Sequence, residues 1–198
     1  NNLPVIIRST NAGGNTHSFT PASDGALCAC RNIQFENTAV TAKPVIEHDR
    51  GTLLLDNCFV YQRANGAAQG ACVDTTSPPG AVATLSLFET VLVSLANADD
   101  SRWALVFDSP GPLISLMSHI EGRSALAFNE GLAIEARAVI QYCTISAGDG
   151  YTIRSGGDMD VGNCRLGAND DDKNFVIDGF GAGAYVGDLT IEVTRTTL

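Results

Sequence analysis

The chain has no apolar run long enough to cross a membrane, and no stretch shows the 3.6-residue periodicity of a helix. Positive charge is scarce: 12 Lys and Arg face 22 Asp and Glu, for a net charge of −10. Phosphate backbones would be repelled by that balance, so nucleic acid is not an expected partner, and the lack of a long apolar run argues against a membrane. Only 3 histidines occur, and His17, His48 and His119 are not arranged with an acid and a nucleophile as a triad. Paired Cys-x-x-Cys motifs and mixed Cys/His sets are missing, which argues against zinc. No signal-peptide pattern opens the chain, and Asn1 stands where a methionine would begin a primary product. A processed, trimmed or excised sequence is expected.

What the chain does have is an echo. In Leu53-Leu-Leu-Asp-Asn-Cys-Phe-Val60, taking Cys58 as position n, apolar or small residues fall at n−5, n−3, n and n+2, with Asn57 at n−1. The frame recurs on Ile33 (Cys28, Cys30, Phe35, with Asn32), Cys164 (Met159, Val161, Leu166, with Asn163) and Cys143 (Ala138, Ile140, Ile145, with Tyr142). It is also placed on Leu189 (Ala184, Val186, Ile191, with Asp188) and, more loosely, on Val91 and His119. The His119 copy carries Ser118 at n−1 and can alternatively be phased on Met117 and Ile120.

Successive anchors lie 25, 33, 28, 24, 21 and 25 residues apart. A period in the twenties without helical pattern marks a coiled β-solenoid. The spacing of two, three and two describes two short strands joined by a two-residue turn. Asn or Asp at the bend tolerates the left-handed conformation that such a corner needs. A third apolar triplet precedes each pair: residues 45–47, 71–73, 105–107, 126–128, 151–153 and 175–177. Each is followed by a glycine-bearing turn, for example His48-Asp-Arg-Gly51 and Asp108-Ser-Pro-Gly111.

These repeats resemble the pectin-lyase-like right-handed parallel β-helix superfamily over nearly the whole chain from about residue 26. The expected fold is all-β: a single-stranded right-handed parallel β-helix of about seven rungs, with three short strands per rung. Residues 1–25 lack the repeat and are expected to form an extended N-terminal arm, in which Val5-Ile6-Ile7 could make a strand; residues 26–198 form the parallel β-helix domain. The resemblance leaves function open, because it covers lyases, glycoside hydrolases, phage tailspikes and non-catalytic virion proteins.

The 6 cysteines are expected to be reduced. Cys58, Cys143 and Cys164 share one inward position on different rungs, and parallel stacked Cβ vectors about 4.8 Å apart miss the approach a disulfide wants. Small thiols fill a core well, and assembly in a reducing host cytoplasm follows, with secretion as the alternative.

Enzymes of this superfamily work on the outer face of the first strands, with charged residues on successive rungs. If each triplet points its ends inward, the outward residues here are Ile46, Cys72, Val106, Ala127, Thr152 and Val176, none of them charged. Second-strand outward positions include Leu54, Leu87 and Val139. Ile46, Leu54, Leu87, Val106, Val139 and Val176, with Trp103 on a long corner, are therefore the interface candidates. No cofactor is expected. Calcium or a glycan is the alternative, at Asp149, Asp158, Asp160, Asp170, Asp171 and Asp172, because hard cations take clustered oxygens; a solvated acidic corner is the favoured reading of them.

The expectation is a non-catalytic structural protein of a virion, a capsid decoration (cement) protein or a tail fibre or spike component. It would oligomerise through apolar outer faces, first as a homotrimer, and join a larger capsid or tail assembly. The rival is a carbohydrate-active lyase or hydrolase, or a glycan-binding module using Trp103.

Overall fold

The computed structural model describes residues 5–9, 16–38, 43–63, 70–95, 103–129, 136–148, 150–168, 175–177 and 191–194; for 168, 175–177 and 191–194 it describes the backbone alone. Every regular element in this set is a β-strand, and the strands form three sheets, each of 7 strands, with only parallel pairing. Sheet 1 holds His17–Phe19, Ile46–His48, Val73–Thr76, Trp103–Asp108, Ser124–Phe128, Ile153–Ser155 and Phe175–Ile177. Sheet 2 holds Leu27–Arg31, Gly51–Asp56, Ala83–Phe88, Leu113–Leu116, Arg137–Gln141, Asp158–Gly162 and Ile191–Thr194. Sheet 3 holds Val5–Ser9, Ile33–Asn37, Phe59–Gln62, Val91–Ser94, His119–Gly122, Thr144–Ala147 and Arg165–Ala168. The chain visits the sheets in rotation, so each strand pairs with the strand three elements on. That is the architecture of a parallel β-helix.

The inward rows form one continuous core. Leu53, Leu85, Leu113, Ala138 and Met159 stack on successive rungs of sheet 2, and Phe35, Val60, Leu92, Ile120, Ile145 and Leu166 on sheet 3. Sheet 1 adds Val73, Leu105, Leu126 and Ile153, with Phe107 and Phe128 stacked at 5.7 Å. Burial of each large aliphatic side chain is worth roughly 1.5–3 kcal/mol, so the coil is held by the stacking of each rung on the next.

The corner between sheets 2 and 3 follows one rule on six rungs. The residue at n−1 is left-handed: Asn32 (φ 55), Asn57 (φ 49), Glu89 (φ 46), Met117 (φ 50), Tyr142 (φ 58) and Asn163 (φ 54). From Cys58 onward, the next residue turns a small donor inward, onto the carbonyl two residues back. Cys58 Sγ donates to Asp56 O, Thr90 Oγ1 to Phe88 O, Ser118 Oγ to Leu116 O, Cys143 Sγ to Gln141 O and Cys164 Sγ to Gly162 O, at 2.9–3.5 Å. The buried corner thus takes Cys, Thr or Ser alike, because each is small and satisfies its own polar hydrogen.

This rule corrects two frames. The anchors placed on Val91 and His119 belong one residue earlier, on Thr90 and Ser118. The apolar frame skipped those two because a hydroxyl looks polar, although both are buried. Leu87 therefore points into the core and Ser86 outward, while His119 and Glu121 leave the core for the outer face. The last frame also moves. Ile191 pairs with Met159 in sheet 2, so it takes n−5 rather than n+2. Ala184, Val186, Asp188 and Leu189 lie outside the described residues. The cysteines are all free, and all but Cys28 are buried.

Residues 5–9 and 17–19 join the coil as the first strands of sheets 3 and 1, on Ile33–Asn37 and Ile46–His48. Gly51 (φ 74) makes the tight corner into sheet 2, and a Cβ there would meet Ala26 O at 2.8 Å. Gly111 has no positive φ; it is glycine because the Ala83 backbone lies where a Cβ would go.

Candidate functional site

The outer faces follow from the register. On sheet 1 the outward row is Ser18, Glu47, Asp74, Val106, Ala127 and Arg154. The expected row was out by one residue at Ile46 and by two at Cys72 and Thr152, and all three are 0% exposed. The cause is local. Val45 and Ile46, and Ala71, Cys72 and Val73, are consecutive buried residues, because the entering corner packs inside before strand alternation starts. A three-residue apolar window cannot fix phase. Val106 does face outward and is half-buried, and Val176 is in register with Arg154, its side chain lying outside the described set.

The corrected row is charged, contrary to the expectation. Glu47 and Asp74 sit on neighbouring rungs, which stack about 4.8 Å apart. Burial pushes the Asp74 carboxyl up, against a 2.6 Å hydrogen bond donated by Thr76 Oγ1.

Sheet 2 presents the apolar face. Its central outward row runs Ala29, Leu54, Ser86, Ile114, Val139 and Asp160, and the adjacent row toward the corner runs Asp56, Phe88, Leu116 and Gln141. Leu54, Ile114, Val139, Phe88 and Leu116 are half-buried. Of the expected interface residues, Leu54 and Val139 lie on this face, with the rungs of Ser86 and Ile114 between them, while Ile46 and Leu87 are buried in the coil. Phe88, Ile114 and Leu116 were missed because the frame in those rungs ran one residue late.

Trp103 is also withdrawn. It begins a strand of sheet 1, is 6% exposed, and stacks on Tyr151 at 6.1 Å with Arg154 over the far ring at 5.3 Å from its centroid. A buried, already stacked indole offers no platform to a glycan.

The outer face of sheet 3 holds a group that the sequence reading passed over. Glu36, 1% exposed, accepts from Arg8 Nε at 2.6 Å and from Gln34 Nε2, with Arg63 at 4.0 Å. Burial pushes this carboxyl up, but the hydrogen bonds from Arg8 and Gln34 and the charge of Arg63 outweigh it and hold it below the usual carboxylate range. Arg63 also stacks on Tyr61, and Tyr61 meets Phe59 edge-on at 5.6 Å. Alternation of Gln34 and Glu36 within Ile33–Asn37 was the available signal. His119 lies on this face too, with Nε2 2.9 Å from Glu121 Oε2.

Beside these residues, at the corner, a groove of about 500 Å³ is lined by Asn32, Gln34, Asn57, Phe59, Glu89 and Val91, among others. Asn57 Nδ2 donates to Asn32 Oδ1 at 2.7 Å, one step of an asparagine ladder that Glu89 interrupts on the next rung. Next along the corner stand Met117, 48% exposed, and Tyr142, 65% exposed. A left-handed conformation costs such residues roughly 1–2 kcal/mol each.

Of the acidic candidates, two lie among the described residues. Asp158 and Asp160 lie on the outer face of sheet 2, where Gln141 Nε2 donates to Asp160 Oδ1 at 3.0 Å. Asp149, Asp170, Asp171 and Asp172 lie outside the described residues. Among the described residues no three His, Cys, Asp or Glu converge as metal ligands, and no helix is long and apolar enough to cross a membrane. Compared with known proteins, the chain matches no family model, no curated protein and no solved structure. The class of protein is therefore set by fold alone: an all-β chain of three parallel sheets coiled as a β-helix.

Proposed function

We propose that this chain is a non-catalytic building block, a right-handed β-helix of about seven rungs of the pectin-lyase-like kind, that packs by the outer face of sheet 2 into a homo-oligomer and a larger particle. The right hand follows the general rule for parallel crossover connections. The observation that carries the reading is the apolar row Leu54, Ile114 and Val139, with Phe88 and Leu116 beside it. A contiguous outer patch of this kind marks a protein–protein contact. A virion, as capsid decoration or tail component assembled in a reducing cytoplasm, is the setting that best suits an acidic, thiol-bearing coil. Sedimentation should give an oligomer at micromolar concentration, and Ile114→Asp should weaken it. A wild-type chain that stays monomeric would remove the reading. Virion structural genes beside its own would support the setting.

A second reading, a carbohydrate-active enzyme or glycan binder, is favoured by Glu47 and Asp74 on adjacent rungs of sheet 1. Two carboxyl groups about 5–5.5 Å apart suit a retaining hydrolase. A screen of acidic and bacterial surface polysaccharides, with and without calcium, separates the two. Cleavage lost in Asp74→Asn would establish the enzyme.

A further inference from the structure

The corner between sheets 2 and 3 carries a ridge and a hollow on the same line. The hollow is the groove of about 500 Å³ on the rungs of Asn32, Asn57 and Glu89, floored by Gln34, Phe59 and Val91. The ridge is Met117 and Tyr142 on the next two rungs, 48% and 65% exposed at left-handed φ of 50 and 58. Asn fills the same corner position on three other rungs, so the fold accepts a residue at ease in this conformation. Two large apolar side chains instead hold a strained backbone and point away from the core. Strain kept at a residue that does nothing for packing points to a use outside the coil.

We propose that this corner joins two copies of the chain antiparallel, about a twofold axis crossing it between Glu89 and Met117, with Met117 and Tyr142 of each copy seated in the groove of the other. The inference rests on the building-block reading and names its partner as a second copy. A twofold axis perpendicular to the coil reverses the order of rungs, so ridge meets groove in both directions at once, as an isologous interface requires. A threefold axis along the coil keeps every rung at its own level and leaves all three grooves unfilled. The chemistry fits: the Tyr142 ring lies against Phe59, the Met117 thioether against the same aromatic edge, and the Tyr142 hydroxyl donates to Asn57 Oδ1, which the Asn57–Asn32 bond leaves available. The two Glu89 carboxylates approach near the axis, a repulsion that limits affinity.

Sedimentation velocity and native mass measurement of the full chain over a micromolar concentration series test the proposal. The wild type should be a dimer. Tyr142→Asn should raise the dissociation constant by about tenfold or more, as expected of an interface anchor, while the thermal midpoint of the separated chain holds or rises. Glu89→Gln should tighten the dimer. Asn57→Cys combined with Tyr142→Cys should give a covalent dimer under mild oxidation, whereas either single variant should not. A wild-type trimer lost in Ile114→Asp but indifferent to Tyr142→Asn overturns the twofold and leaves the building-block reading standing. A wild-type monomer overturns both.

Discussion

His48 shows how a single buried side chain couples this coil to pH. It is 1% exposed, and its ring nitrogens find no well-formed hydrogen bond, only weak backbone contacts at Arg50 and Gly51. Burial lowers its pKa, and those contacts and Asp49 only partly offset the effect. With the folded pKa below the unfolded value of about 6.5, the neutral ring's contribution is complete above that value and declines as pH falls through it, because the unfolded chain takes the proton first. Glu36 adds a second window. Its folded pKa is depressed, so its contribution is present above the ordinary carboxylate range and is lost on further acidification. Denaturant midpoints followed by Trp103 fluorescence should thus fall in two steps between neutral and strongly acid pH. His48→Leu should flatten the first step and add about 1 kcal/mol at neutral pH by removing underbonded polar atoms. An unchanged profile in His48→Leu would falsify the assignment.

At the scale of the element, the left-handed corner with its small inward donor is the unit that repeats. Thr90 shows its worth: the hydroxyl hydrogen is shared between Leu55 O at 2.9 Å and Phe88 O at 3.0 Å, and the oxygen accepts from Cys58 N at 3.3 Å. Thr90→Val keeps the shape and strands the buried Cys58 N–H, so a loss of about 1–3 kcal/mol is expected in equilibrium unfolding. Thr90→Ser should lose far less, since it retains the donor. Glu89→Asn should instead stabilise by about 1 kcal/mol, because Asn is at ease at φ 46 and extends the Asn32–Asn57 ladder by one rung. The strands between corners behave as ordinary core, and Leu85→Ala, at 0% exposure, should cost about 2–5 kcal/mol.

At the scale of the molecule, a solenoid's rungs are stabilised chiefly by their neighbours, so stability is highest where a rung is covered on both sides. The first rungs are not. Val5, Ile6, Ile7 and Leu27 are 37–69% exposed at the start of the described stack, where the strand Val5–Ser9 has, among the described residues, a sheet neighbour on one side only. Amide exchange should be fastest in Val5–Ser9 and slowest in the strands Gly51–Asp56 and Ala83–Phe88. Uniform protection along the chain would show that this end is covered in solution, a fate edge strands commonly require.

How much of this was legible follows from what each residue must satisfy. The repeat, the three strands per turn and the Asn corners could be read directly, because a period in the twenties and alternation by two leave few other folds. Cys58, Cys143 and Cys164 set the frame correctly, being small and apolar together. Thr90 and Ser118 did not look like core, since their burial rests on hydrogen bonds to carbonyls that only the coiled backbone brings near. Slipping by one residue there exchanged Leu87 for Ser86, and His119 for Ser118, between inside and outside. The sequence by itself determined that the chain coils into parallel sheets around a thiol-bearing apolar core. Tertiary structure alone decided which face is charged, that Trp103 is buried against Tyr151, and that ridge and groove share one corner. Those depend on alignment between rungs some 21–32 residues apart, set by backbone ladders whose phase no local pattern contains.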